Sequence, residues 1–94
     1  MTERYKNRLI ELITKHLPHT SIYLYGSRAR KDHREGSDVD LALDNKKKIG
    51  RSIISDIKED LEESTIPLFV DVVDVHDVSS EFLKEIKKDW IQWN

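Results

Sequence analysis

The sequence predicts a small two-layer α/β domain: a three-stranded mixed sheet covered by helices, in the order α-β-α-β-α-β-α. Apolar residues recur at helical spacing over 3–17, 46–63 and 79–93. Three short β-rich runs, "SIYLY", "DVDLAL" and "LFVDVVDV", alternate with those segments. The 94 residues show no internal repeat and no linker long enough to divide them, so one domain over 1–94 is expected.

Each element has a local reason. Over 3–17, Tyr5, Leu9, Leu12, Ile13 and Leu17 form one stripe, Thr2 is placed to cap the start, and Pro18 stops the helix. The strand at 21–25 ends at Gly26, and Ser27 opens a short helical or turn segment, "SRARKD". The loop "HREG" leads into a strand at 38–43. The helix expected at 46–63 carries Ile49, Ile53, Ile57 and Leu61 on one stripe with Ile54 beside it, and "KKK" at 46–48 is its solvated start. A third strand, 68–75, follows Pro67. The last helix, 79–93, carries Phe82, Leu83, Ile86 and Trp90 on one face, with Ser79 or Ser80 as cap. Trp93 either folds back onto the domain or adds to a contact surface.

Composition narrows the function. Charged residues make up 36% of the chain, yet the net charge is −2, which argues against a general nucleic-acid binder and against direct contact with nucleic acid. The absence of cysteine excludes disulfides and thiolate metal sites and fits a reducing cytoplasm. No apolar run approaches the roughly 20 residues that span a bilayer, and "MTERYKNRLI" lacks the apolar region of a signal peptide. The cytoplasm is the expected location.

The chemistry concentrates in three places. In "GSDVDLALD", Val39, Leu41 and Leu43 share one strand face, while Asp38, Asp40 and Asp44 share the other with Ala42. Carboxylates two apart on one face lie roughly 7 Å from each other, which costs about 2 kcal/mol per ionised pair at an effective dielectric of about 20. Hard divalent cations such as Mg²⁺ relieve that repulsion, since they take carboxylate oxygens together with substrate phosphates. Asp44 lies towards the far end of the strand and reads as a solvated end or a cap for the following helix. In "YGSRAR", Gly26 allows close backbone approach to a ligand. Ser27, with free N–H groups at a helix start, suits a phosphate, and Arg28 and Arg30 can add positive charge. In "FVDVVDV", Asp71 and Asp74 are three apart, so only one can face Asp38 and Asp40. Asp71 is taken here, with Asp74 as the alternative. His33 lies in the loop before the acidic strand and could line the site; Tyr25 could border it, although packing is its simpler role. His16, His19 and His76 show no metal-ligand spacing.

"GSRARKDHREGSDVDLAL" resembles the signature of the DNA polymerase β-type nucleotidyltransferase superfamily: glycine-serine, a ten-residue gap, Asp-x-Asp. "VDV" at 70–72 supplies the third acidic residue. In length the chain resembles the minimal nucleotidyltransferases, the MNT antitoxins encoded beside HEPN-domain proteins. Such relatives often carry glycine where this chain has Lys31. The resemblance implies a small two-layer nucleotidyltransferase fold. It implies transfer of AMP from ATP to a tyrosine hydroxyl of a HEPN ribonuclease toxin, with two Mg²⁺ ions. Asp38 and Asp40 would bind both ions and Asp71 the catalytic one. Gly26 and Ser27 would hold the β- and γ-phosphates, with Arg28 or Arg30 offsetting their charge. A hetero-oligomer with the toxin is implied, since 94 residues leave no room for a second domain to close the cleft. The competing expectations are an antitoxin acting by steric binding alone, and nucleotidyl transfer to a small molecule.

Overall fold

The computed structural model describes residues 2–31 and 38–94. Four helices and four strands alternate: α1 (Glu3–His16), β1 (Ser21–Tyr25), α2 (Ser27–Arg30), β2 (Val39–Asp44), α3 (Arg51–Glu63), β3 (Val70–Asp74), α4 (Ser80–Asp89) and β4 (Ile91–Gln92), with a 3-10 turn at Val75–Asp77. The sheet order is β3-β2-β1-β4. β1 runs antiparallel to β2 and β4, while β2 and β3 are parallel, so the sheet is mixed as expected.

Period-two alternation sorts β2 into two faces. Val39, Leu41 and Leu43 are buried with Leu9 and Ile13 of α1 and Ile57 and Leu61 of α3, and this is the main core. The other face of β2 turns Ala42 towards Tyr25, Val75 and Ile86, with Leu83 and Trp90 packed alongside. Helices thus cover both faces, α1 and α3 on one and α4 on part of the other. The second face leaves the Asp40 end of the sheet uncovered by any core cluster.

Three expectations change. The sheet has four strands rather than three, because the last helix ends at Asp89 instead of 93. Trp90 leaves helical geometry (ψ 148°) and stacks on Tyr23, with ring centroids 3.7 Å apart. Ile91 and Gln92 then pair with Leu24 and Tyr23. Trp93 donates its backbone N–H to the Ile22 carbonyl at 2.8 Å and folds back against the main core, so it is not a free contact residue. The cap of α4 is Ser79, whose hydroxyl accepts from the Phe82 N–H. Next, α3 starts at Arg51 rather than 46, because Lys46 and Gly50 both take positive φ, which breaks helical continuation. Ile49 is buried ahead of the helix, and the seam inside it is Ile54, Ile57 and Leu61, while Ile53 is exposed. Finally, Lys31 ends α2 with φ 64° and ψ 24°, the left-handed conformation that glycine takes most easily.

Candidate active site

The site is built at one end of the sheet. In the β1–β2 register Tyr25 lies opposite Asp40, and in the β2–β3 register Asp40 lies opposite Asp71. Three adjacent strands therefore turn Tyr25, Asp40 and Asp71 to the same face. Asp38 is exposed and immediately precedes β2. Asp74 falls on the other face. It is buried, and its carboxylate accepts from the Ile49 N–H at 2.8 Å and the His76 N–H at 2.9 Å. Asp74 thus anchors the segment entering α3, and the residue beside Asp40 is Asp71.

The electrostatics match this grouping. Burial first, then the charges of Asp71 and Asp38, push the Asp40 carboxyl above its ordinary range, and Arg30 pulls against them. Tyr25 is pushed up to about 12 by burial, then by Asp40 and Asp71. Its ring packs edge-on against Phe82, with centroids 6.2 Å apart. The hydroxyl is therefore a neutral donor held beside two carboxylates. The sequence offered Tyr25 as a residue that could border the site, with packing as its simpler role; its place opposite Asp40 comes from the strand register.

Gly26 closes the site from the β1 side. Its φ of 76° and ψ of −154° belong to a region that is essentially glycine's alone. A Cβ there would lie 2.7 Å from Asp40 Oδ2. The backbone thus runs against the Asp40 carboxylate before Ser27 opens α2. Arg28 is buried with 8% exposure, while Arg30 is exposed and its charge reaches Asp40. Of the two arginines, Arg30 is presented to the site's surroundings. His33 lies outside the described residues.

Two contacts had no sequence signal. Lys58 of α3 places Nζ 3.7 Å from Asp71 Oδ1, reaching round the edge strand from the opposite face. His76 Nε2 lies 2.8 Å from Asp44 Oδ1, and Asp44 also accepts from the Lys46 N–H at 2.9 Å. Burial alone would raise the Asp44 carboxyl, but the Lys46 and His76 hydrogen bonds outweigh it and hold the group below its ordinary range. Asp44 belongs to the turn after β2, apart from the Asp40–Asp71 pair, and it caps that turn rather than α3.

The donor chemistry fits a hard divalent cation: carboxylate oxygens only, mutually repelling, on one face. Among the described residues no group of three His, Cys, Asp or Glu side chains is found arranged to hold a metal ion. Asp40 and Asp71 are side by side across β2 and β3, and Asp38 immediately precedes β2.

Comparisons with known proteins agree with this architecture. Residues 7–92 match the family Polymerase beta, Nucleotidyltransferase. No curated protein matches the sequence. Several solved structures share the fold. A toxin–antitoxin crystal structure with AMP-PNP superposes with a TM-score of 0.81 at 23% identity, covering 95% of this chain and 72% of the other. The MNT antitoxin complex with tri-AMPylated Shewanella oneidensis HEPN toxin gives 0.78 at 22% identity, covering 100% and 72%. The toxin–antitoxin MntA–HepT gives 0.77 at 21%, covering 99% and 72%. With the match running across nearly the whole sheet and its helices, this chain belongs to the polymerase β nucleotidyltransferase family and has the fold found in these toxin–antitoxin structures.

Proposed function

We propose that the protein is a nucleotidyltransferase antitoxin that moves AMP from ATP to a tyrosine hydroxyl of a HEPN-domain toxin. The observation that carries this reading is the pairing of Asp40 with Asp71 across β2 and β3, with the Gly26 backbone pressed against Asp40. The fold shared with an AMP-PNP complex and with an MNT–HEPN complex supports the nucleotide and the partner.

In this reading Gly26 and Ser27 hold the β- and γ-phosphates, and Arg30 offsets their charge. Buried Arg28 supports the loop from beneath. Asp38, Asp40 and Asp71 would hold two Mg²⁺ ions, which when bound supply positive charge against the attacking and leaving oxygens. The acceptor oxygen bonds to the α-phosphorus, the bond to the α–β bridging oxygen breaks, and pyrophosphate leaves. Asp71 takes or orients the hydroxyl proton. Asp40 would help hold the ions, and the neutral Tyr25 hydroxyl adds no further negative charge beside the carboxylates. Catalysis is then mostly positioning and electrostatics. In this reading the chain acts as a hetero-oligomer with its acceptor in the cytoplasm.

The test is mass spectrometry of the HEPN-domain partner after incubation with this protein and Mg-ATP. The expected result is a gain of one or more AMP units, abolished in Asp38→Ala/Asp40→Ala. An unchanged partner mass alongside full neutralisation would sink the reading, and neutralisation by the double variant would favour steric binding instead.

A further inference from the structure

The direction from which an acceptor reaches the carboxylates follows from the sheet order. At one end of the sheet lie Gly26 after β1, then Asp40 on β2, then Asp71 on β3. Beyond Asp71 the sheet stops, because β3 is an edge strand. Displacement at phosphorus requires the entering oxygen to lie opposite the leaving one. If Gly26 and Ser27 hold the leaving pyrophosphate, as the proposed function has it, the entering hydroxyl comes over the β3 edge.

That edge is shaped. A cavity of about 460 Å³ opens beside Asp71, lined by Lys58, Glu62, Ile66, Leu68 and Phe69. This volume lies within the range of ligand-binding clefts. Phe69 is 66% exposed, the most exposed large apolar side chain among the described residues. Its backbone is tied to β2, since its carbonyl accepts from the Val39 N–H at 2.9 Å. The exposed ring adds apolar surface beside the cavity, which a partner can cover. Lys58 also lines a second cavity, of about 380 Å³, with Ser55, Val73 and Val78. Both cavities thus border Lys58, one beside Val70 and Asp71 of β3 and the other beside Val73 and Asp74.

We propose that this edge groove is the acceptor site, and that it seats the polypeptide segment carrying the hydroxyl. An apolar side chain of that segment rests on Phe69, and a carboxylate or backbone carbonyl of it meets Lys58. Two cavities spaced along one edge strand, with Lys58 bordering both, suit an extended polypeptide better than a compact small molecule. Glu62 and Asp71 at the rim disfavour the phosphates of a nucleic-acid end. The step served is the one given above: the acceptor oxygen bonds to the α-phosphorus, the α–β bridging bond breaks, pyrophosphate departs towards Gly26, and the proton passes to Asp71. This assignment rests on the proposed transfer reaction and adds which surface selects the acceptor.

The experiment compares wild type, Phe69→Ser and Lys58→Glu in Mg-ATP-dependent transfer to the HEPN-domain partner, together with AMP-PNP affinity by calorimetry. Phe69→Ser is an exposed change, and circular dichroism checks its fold. Both variants are expected to raise KM for the partner by about tenfold or more, a 1.4 kcal/mol effect or larger, while in Phe69→Ser AMP-PNP affinity stays within about twofold. A photoreactive amino acid placed at Phe69 should capture the partner, and one at exposed Ile91 on the far edge should not. Wild-type KM in Phe69→Ser, equal loss of AMP-PNP binding, or capture from Ile91 alone would each overturn the groove assignment. A wild-type protein that transfers nothing would instead overturn the underlying reaction, and the groove assignment with it. Transfer only to a free small molecule would remove the polypeptide occupant.

Discussion

Gly26 holds the narrowest tolerance in the site. Its backbone conformation excludes a side chain, and the nearest obstacle to a Cβ is the Asp40 carboxylate. Gly26→Ala is expected to destabilise the fold by about 1–3 kcal/mol through backbone strain. It should also cut AMP transfer, because relief of the contact displaces Asp40. Thermal unfolding and initial rates check the two effects separately. Lys31 is the instructive contrast: it also takes positive φ, but as an exposed residue. The glycine-serine and Asp-x-Asp pairs were legible in the sequence, because their spacing is local. The role of Tyr25 was not, because it depends on which residue of β2 stands opposite.

Among the elements, β3 decides the site. Five residues of strand carry two aspartates to opposite faces, and the parallel register with β2 selects between them. Asp74 serves the core side, where it accepts two backbone N–H groups. Asp74→Ala should therefore cost about 1–3 kcal/mol, the usual penalty for leaving a buried donor unpaired. Asp71→Ala should abolish transfer with little change in stability, since its ion pair with Lys58 is exposed. Urea midpoints, with rates measured on the same preparations, separate the two. A loss of activity in Asp74→Ala at full stability, with Asp71→Ala active, would reverse the choice. At the C-terminal helix, apolar spacing continued past the true end. Stacking of Trp90 on Tyr23 and pairing of Ile91 with Leu24 outweigh four more helical residues, and no local pattern contains that competition.

The whole molecule trades stability for binding. Burial first, and then the charges of Asp71 and Asp38, raise the proton affinity of Asp40, so its ionised form weakens the fold. The sign follows from linkage: the folded carboxyl titrates above the unfolded one. The penalty is absent below the ordinary carboxylate range and complete once pH exceeds the raised value. Asp40→Asn is thus expected to raise the Tm of nucleotide-free protein at neutral pH, by roughly 0.5–2 kcal/mol in stability, with the gain vanishing in acid. The same variant should lose the stabilisation that Mg-ATP confers on the wild type, about 2.7 kcal/mol at a hundredfold excess over Kd. Thermal melts across pH, with and without Mg-ATP, test both directions. A Tm lowered by Asp40→Asn at neutral pH would contradict the charge argument.

By itself the sequence determined the quantities that short-range geometry controls. Alternation along β2 put Val39, Leu41 and Leu43 in the core and Asp38 and Asp40 on the other face. Helical spacing, Thr2 and Pro18 set α1 to within a residue. The Gly26-Ser27 turn followed from a strand meeting a helix start. Tertiary structure alone decided what depends on partners distant in the chain. It chose Asp71 over Asp74 and added β4 to the sheet. It split the helices between two faces and brought Lys58 round the β3 edge to Asp71. The physical reason is the reach of each interaction: side-chain period is a property of consecutive residues, whereas strand register and edge position are set only when segments thirty residues apart pack together.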